Sequence, residues 1–225
     1  MRFDAVAFDL DGTLYPSASL YLAALPRMLG KARLLSAFNA SRRRMRELGA
    51  DEAYRRSPPK GWEEFRAREA AVVAERMGIG PAEARELMER YFYRDIEELF
   101  SGIKPFRGLS AALDALSAAG LRLALLSDLP PARKLELMGL GGRFEVALCS
   151  EDSGFLKPAP EPFAMLASAL GLAKPRILYV GNSPRIDLAG AKAAGMSAAI
   201  VSRRKVAGAD LSFYDWRSLV DFALA

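Results

Sequence analysis

Short apolar segments of this sequence each end in a small polar loop, and helical patterns lie between them. The apolar segments, which read as β-strands, cover residues 3–8, 121–126, 144–148, 177–180 and 198–201. Strands that alternate with helices predict a parallel sheet covered by helices on both faces. In such sheets, ligands bind at the carboxyl ends of the strands, where the polar loops lie. We therefore predict an α/β fold with a functional site at that edge.

Residues 17–100 interrupt this pattern, because they contain no convincing strand. The spacing of their apolar residues predicts helices at residues 20–28, 32–48, 62–77 and 81–100. An all-helical block inserted after the first strand implies a second, mobile lobe. We predict that residues 1–15 and 104–225 form a core domain and that residues 16–103 form the helical lobe.

The 225-residue chain contains no histidine, which excludes Ser-His, Cys-His and His-metal mechanisms. Cys149 is the only cysteine, and the chain shows neither a signal-peptide pattern nor a membrane-spanning apolar run, so we expect a cytoplasmic protein. The net charge of +5 suits an anionic ligand, nucleic acid included, or simply arginine-rich helices with acidic partners. We favour the second explanation, in which acidic partners offset arginine-rich helices. We therefore expect neither a nucleic-acid nor a membrane partner.

Asp9 and Asp11 follow the first predicted strand, and Gly12 then bends the chain. One carboxylate could attack phosphorus as a nucleophile while its neighbour handles a proton, chemistry that needs no histidine. A capped turn explains the same residues equally well, because Asp and Gly both favour turns.

Three later loops carry further candidate groups, each with a simpler alternative. Ser127 and Asp128 could bind phosphate at a helix start, or only cap that helix. Lys157, in restricted proline-rich backbone, could neutralise phosphate charge, or be an exposed loop lysine. Asn182 and Asp187 offer oxygen ligands suited to Mg²⁺, although Asp187 could merely complement a helix dipole. Together, in order and all at strand ends, these groups point to a phosphate site.

Four motifs carry a family resemblance: "DLDGT" at residues 9–13, "LLSD" at 125–128, "GFLKP" at 154–158 and "GNSPRID" at 181–187. With them the chain resembles the haloacid dehalogenase-like (HAD) hydrolase superfamily over nearly all of the predicted core. The resemblance implies a Rossmann-like three-layer core with a parallel sheet. It also implies that the helical lobe is a cap domain, which bears the substrate specificity in such proteins.

The resemblance also implies catalytic roles. Asp9 matches the nucleophile that forms an aspartyl-phosphate, and Asp11 matches the general acid and base. Lys157 matches the cation that steadies both phosphate and nucleophile. Such a site works by positioning and charge neutralisation.

Ligand contacts are implied in the same way. The phosphate would be bound around Leu10, Asp11, Ser127, Asp128 and Lys157. Mg²⁺ would be held by the Asp9 carboxylate, the Asp11 backbone carbonyl and the fourth motif, that is, Asn182 and Asp187.

Two positions refine these expectations. Dehalogenases of the superfamily have no aspartate at the Asp11 position, so Asp11 indicates phosphate chemistry. Asn182 stands where the common fourth motif has its first aspartate, so one negative charge is lost. We expect weaker Mg²⁺ binding, with Asp187 taking a larger share directly or through water.

The predicted cap is rich in arginine between residues 41 and 62. Arg43 or Arg46 could hold a substrate carboxylate or second phosphate, or these arginines could lie on a solvated helix face. Four aromatic residues could line the mouth of the site or pack the cap: Tyr15, Tyr21, Trp62 and Phe65.

The predicted function is a Mg²⁺-dependent phosphatase for a small phosphorylated metabolite, acting as a monomer or homodimer. Phosphoglycolate, a sugar phosphate and a nucleoside monophosphate are all open as substrates. A phosphomutase, a phosphate-binding regulatory protein with a degenerate site, and other HAD chemistry such as dehalogenation or phosphonate cleavage are the alternatives.

Overall fold

The computed structural model describes residues 2–225 and contains one parallel sheet. Its strands are β1 (Ala5–Phe8), β2 (Arg122–Ser127), β3 (Val146–Cys149), β4 (Ile177–Gly181), β5 (Ser197–Val201) and β6 (Leu211–Phe213). Their spatial order is β3-β2-β1-β4-β5-β6, and every neighbouring pair is parallel. The predicted α/β fold is confirmed. Strand β6 was not predicted, because three residues at a sheet edge are too short for an alternating pattern.

The segment between β1 and β2 is helical, as predicted. It contains α1 (Ser17–Met28), α2 (Ala32–Leu48), α3 (Glu52–Arg56), α4 (Trp62–Met77), α5 (Pro81–Met88) and α6 (Asp95–Glu97). A π-helical stretch, Glu89–Arg94, joins α5 to α6, and a 3₁₀ stretch, Glu98–Gly102, follows. The single helix predicted over 81–100 is therefore a run of several helix types. The short helix α3, capped by the Asp51 side chain, was not predicted.

The remaining helices follow or connect the later strands. They are α7 (Leu109–Ala118), α8 (Ala132–Leu137), α9 (Pro160–Leu170), α10 (Ala189–Ala193) and α11 (Trp216–Leu224). A π-helical stretch, Pro184–Leu188, leads into α10, so the helix predicted from Pro184 begins with a wider turn.

Alternate residues of the central strands face opposite sides of the sheet, and both sides are buried. On β1, Val6 and Phe8 join one apolar cluster, whereas Ala5 and Ala7 join another. Helices α7 and α11 cover the first side, and α9 and α10 cover the second. Covering both faces leaves the strand ends as the exposed edges of the sheet, which positions the site.

The helical segment has an apolar cluster of its own, in which Phe38 stacks on Phe92 at 3.9 Å between ring centroids. A smaller cluster joins Met45 and Phe65 of this segment to Phe155 and Leu156 from the loop after β3. The segment therefore packs on the carboxyl edge of the sheet. Its treatment as a separate domain, residues 16–103, stays a prediction.

Among residues 2–225, no helix combines the length and the hydrophobicity needed to cross a membrane. The cytoplasmic location stays a prediction.

Candidate active site

The site lies where the carboxyl ends of β1, β2 and β4 meet. These strands are neighbours in the sheet, and the Asp9 backbone N–H donates to the Val180 carbonyl at 2.8 Å. Asp9 therefore emerges beside the fourth motif, although more than 170 residues separate the two in the chain. Ser127 is the last residue of β2, the strand on the other side of β1.

Lys157 donates hydrogen bonds to several groups of the site. Its Nζ donates to Asp9 Oδ1 at 2.7 Å, to Asp187 Oδ1 at 2.9 Å and to the Tyr179 hydroxyl at 3.0 Å. A fourth bond, at 3.2 Å, goes to the Leu126 carbonyl. The residue is only 2% exposed, which excludes the alternative of an exposed loop lysine. Burial alone would lower the pKa of Lys157, but the carboxylates of Asp187 and Asp9 outweigh it and raise the pKa.

Asp9 is buried at the bottom of the site, and both of its carboxylate oxygens accept hydrogen bonds. Lys157 donates to Oδ1, and the Thr13 hydroxyl donates to Oδ2 at 2.7 Å. Burial raises the pKa of Asp9 to about 7, although the charge of Lys157 opposes the shift. A cation placed beside Asp9 would favour its ionised, nucleophilic form.

Asp11 lies closer to solvent, with 33% of its side chain exposed. Its Oδ1 accepts from the Tyr15 hydroxyl at 2.6 Å, and its Oδ2 accepts from Lys134 Nζ at 3.3 Å. Lys134 itself is buried, with its ammonium over the Phe100 ring. Lys134 was not predicted as a site residue, because nothing in its local sequence sets it apart from a surface lysine.

Asp187 is also buried, and protein donors satisfy both of its oxygens. Oδ1 accepts from Lys157, while Oδ2 accepts from the backbone N–H groups of Asn182 and Ser183 at 3.2 and 3.0 Å. Through these backbone bonds Asp187 holds the loop that carries Asn182. Its larger share in holding Mg²⁺, directly or through water, stays a prediction.

Two glycines allow these loops to come together. Gly12 has φ +86°, and a Cβ there would lie 2.1 Å from Asn182 Nδ2. A Cβ on Gly181 would lie 2.3 Å from the Asp187 Cβ. At Gly12 the positive φ and the close Asn182 side chain both favour glycine, so the fourth motif can lie against the backbone of the first. Gly181 lets the Asp187 side chain pack against the backbone of its own motif.

The other predicted phosphate-site residues also lie here, in different environments. The Ser127 hydroxyl is buried and accepts the Leu129 N–H at 3.3 Å within the loop. Helix α8 has its N-cap at Pro131 without a side-chain cap, so Ser127 does not cap that helix. Asp128 Oδ1 accepts the Lys157 backbone N–H at 3.2 Å. Burial opposes the charge of Asp128, but Lys157 and Arg46 outweigh it, so its pKa is lowered. Leu10 is fully buried and does not line the cavity, so its contact with phosphate stays a prediction.

The oxygen donors at the site would suit one Mg²⁺ ion, with one negative charge fewer than the common fourth motif provides. Asp9 supplies a carboxylate with unused lone pairs, and the Asn182 side chain and Asp11 backbone supply neutral oxygens nearby. No group of three or more acidic, His or Cys side chains within residues 2–225 is placed to hold a metal. Mg²⁺ commonly takes one or two carboxylates and keeps several waters, so a set of this kind would suit the ion. The ion and its ligands stay a prediction.

Helix α2 places two arginines over the site. Arg42 is buried between Glu151 at 2.6 Å and Glu69 at 3.5 Å, and it also donates to the Asp128 carbonyl. Arg46 donates to Asp128 Oδ2 at 2.7 Å. Arg43 is exposed and does not line the cavity, so it has the solvated position named as the alternative.

Glu151 lies in the 3₁₀ stretch Ser150–Ser153 that follows β3, and it joins helix α2 to this loop. It is fully buried and accepts from Arg42, from Arg66 at 2.8 Å and from the Tyr93 hydroxyl at 2.9 Å. Glu151 was not predicted, because its partners lie 58 or more residues away in the chain.

The four aromatic candidates separate into two groups. Tyr21 is 72% exposed and lines the mouth. Tyr15 and Phe65 are buried, the former beneath Asp11 and the latter in the packing between α4 and the sheet edge. Trp62 lies under Arg66, away from the cavity.

These groups surround a cavity of 370 Å³ with both acidic and basic walls. Its lining includes Asp9, Asp11, Tyr21, Phe38, Asn39, Arg42, Arg46, Asp128, Leu129, Lys157, Asn182 and Asp187. One cavity thus brings together the buried carboxylate of Asp9, the buried ammonium of Lys157 and the partly exposed carboxyl of Asp11. This arrangement suits nucleophilic attack followed by proton transfer.

Comparison with known proteins gives a family match and close relatives. The haloacid dehalogenase-like hydrolase family matches residues 3–195. A phosphoglycolate phosphatase of Salmonella choleraesuis is 34% identical over 213 residues, covering 84% of this chain and 77% of that protein. One from Escherichia coli O157:H7 is 33% identical over the same shares.

Solved structures share the fold at lower identity. An L-2-haloacid dehalogenase superposes with a TM-score of 0.69 at 22% identity over the whole of both chains. A HAD phosphatase from Thermococcus onnurineus gives 0.62 at 23% identity, over 98% of this chain and 97% of its own. At these identities the likeness concerns the fold alone.

Proposed function

The chain belongs to the haloacid dehalogenase-like hydrolase family, and from this premise we propose that it is a Mg²⁺-dependent phosphatase of small phosphomonoesters. The observation that carries the proposal is the pair of carboxylates on the first motif, one buried against Lys157 and one partly exposed. The phosphoglycolate phosphatases among its relatives support the same reaction class.

Asp9 acts as the nucleophile in this proposal. One of its carboxylate oxygens attacks phosphorus, the bond to the ester oxygen breaks, and an aspartyl-phosphate forms. The Lys157 ammonium holds the carboxylate in place and offsets charge as the phosphate arrives. When bound by Asp9, the Asp11 carbonyl and Asn182, Mg²⁺ would supply further charge neutralisation.

Asp11 transfers the proton. Its carboxyl gives a proton to the leaving alcohol oxygen and then takes one from the water that hydrolyses the aspartyl-phosphate. Tyr15 and Lys134 hold its two oxygens, which fixes the orientation of the carboxyl at the mouth. A proton-transfer role explains why Asp11 is partly exposed while the neighbouring Asp9 is buried.

The test is phosphate release from a panel of phosphomonoesters that includes phosphoglycolate, a sugar phosphate and p-nitrophenyl phosphate, with and without Mg²⁺. We expect Mg²⁺-dependent release that falls at least about a thousandfold in Asp9→Asn, since the amide cannot attack phosphorus. Release at an undiminished rate from the Asp9→Asn protein would contradict the proposal. Folded protein that binds the esters without releasing phosphate would instead favour a regulatory role.

A further inference from the structure

A second cavity adjoins the first and opens from the proton-transfer residue. It measures 390 Å³ and shares Asp11, Tyr21, Phe38, Asn39 and Leu129 with the cavity described above. A group esterified to a phosphate over Asp9 would leave past Asp11 and enter this space. The second cavity is therefore placed where the alcohol part of a substrate would lie.

Its walls are mostly hydrocarbon. The apolar residues that line it come from α1, α2, the stretch 89–97 and the loop after β2: Leu20, Ala24, Leu25, Met28, Leu35, Phe38, Phe92, Ile96 and Leu129. Within residues 2–225, the single cation in this lining is Lys134, and its ammonium already pairs with Asp11. Apolar walls of this kind favour an apolar ligand.

The cations of the first cavity are engaged as well. Lys157 pairs with Asp9 and Asp187, and Arg46 pairs with Asp128. Arg42 is buried and pairs with two carboxylates. These carboxylates offset much of the positive charge of the cavity, so a second anionic group of the substrate would be attracted less strongly than by unpaired cations.

We propose that the substrate is the phosphate monoester of an alcohol that bears a hydrocarbon chain or ring, with that apolar part seated in the second cavity. The inference rests on the proposed phosphatase function and narrows its substrate class. It separates this chain from an enzyme built for small carboxylated or polyhydroxylated alcohols, because the second cavity offers those groups few polar partners.

The test is a series of n-alkyl monophosphates from ethyl to octyl, with phosphoglycolate and glycerol phosphate as polar comparators, all assayed for phosphate release with Mg²⁺. We expect kcat/KM to rise about two- to fourfold per added methylene until the cavity is filled, since burial of each methylene favours the longer ester. Hexyl phosphate should also exceed both polar comparators.

Two leucines on helix α1 provide a matched pair of variants. Leu25 lines the cavity and is 60% exposed, whereas Leu22 is 72% exposed and lines neither cavity. We expect Leu25→Ser to reduce the hexyl-to-ethyl ratio of kcat/KM severalfold and Leu22→Ser to leave that ratio unchanged. Equal loss in both variants would overturn the assignment, because it would place the hydrocarbon on the outer face of α1.

The remaining outcomes separate this inference from the proposed function. Phosphate release that is indifferent to chain length overturns the apolar subsite and leaves the phosphatase standing. No release from any ester overturns the phosphatase. Calorimetric binding of non-hydrolysable n-alkylphosphonates then tests whether the second cavity binds an apolar group. Affinity that grows with chain length, with a negative heat-capacity change, supports the apolar site. Affinity that does not depend on chain length overturns it.

Discussion

The carboxylate of Asp9 is held from two sides by residues of very different charge. Lys157 supplies a cation to Oδ1, and Thr13 supplies a neutral hydroxyl to Oδ2. The hydroxyl is fully buried and lies in the turn that Gly12 creates. Thr13 therefore orients the carboxylate of the proposed nucleophile without changing the charge of the site.

Replacing Thr13 by Val removes this hydroxyl while keeping the branched shape of the side chain. A buried acceptor left without its donor costs about 1–3 kcal/mol, so we expect kcat to fall roughly ten- to a hundredfold. Steady-state assays on the best ester of the panel measure the change. Thr13→Ser keeps the hydroxyl and should retain most of the activity; equal losses in the two variants would contradict a positioning role.

In the proposed Mg²⁺ site, the neutral side chain of Asn182 should weaken the attraction for a divalent cation. Asn182→Asp restores a negative charge beside Gly12 and Asp9, so it should lower the Mg²⁺ concentration for half-maximal activity. Titration of activity with Mg²⁺ gives this value. The matched control is Asn39→Asp, which adds the same charge to the cavity wall on helix α2 and should have the smaller effect. An unchanged or higher Mg²⁺ requirement in Asn182→Asp would contradict the hypothesis that Asn182 weakens Mg²⁺ binding.

Helix α2 and the end of β3 are joined by buried charges. Arg42 and Arg66 both bond Glu151, and Glu69 and Tyr93 complete the network. Burial raises the pKa of Glu69, although the charge of Arg42 opposes the shift. Because the charges are largely balanced, removing one partner leaves another uncompensated in a buried site.

Glu151→Gln should therefore destabilise the protein strongly. We expect the free energy of unfolding to fall by about 3 kcal/mol or more, because Arg42 and Arg66 lose their shared carboxylate. Urea denaturation measures this change. In the exposed pair of Glu52 with Arg56, Glu52→Gln should cost only about 0.3–0.5 kcal/mol. Similar losses in the two variants would mean that the buried network adds nothing beyond a surface ion pair.

The whole molecule should respond to Mg²⁺, because a cation that binds only the folded site stabilises the fold. At a concentration a hundredfold above Kd, the gain is about 2.7 kcal/mol, or about 5–10 °C in Tm for a chain of this size. Thermal unfolding with Mg²⁺ and with a chelator measures the difference. Asp9→Asn should lose most of the shift, and a Tm independent of Mg²⁺ in the unmodified protein would contradict the metal site.

The strands and helices that form the sheet core could be predicted because their signals are local. The segments at 177–180 and 198–201 are apolar and bounded by Gly, Asn or Ser, so a few neighbouring residues suffice to indicate strands. Strand β6 and helix α3 lacked such signals. The former is held by pairing with β5, and the latter is one short turn stabilised by the Asp51 cap.

By itself, the sequence determined the parallel sheet, the inserted helices and the positions of Asp9, Asp11, Lys157 and Asn182 at one edge. These follow from local pattern and from the rule that parallel strands end together. Only the tertiary structure decided that Lys134 reaches Asp11, that Glu151 binds Arg42 and that an apolar cavity adjoins the site. Such pairs join residues more than 100 positions apart, and no local periodicity encodes which distant side chains a folded chain brings together.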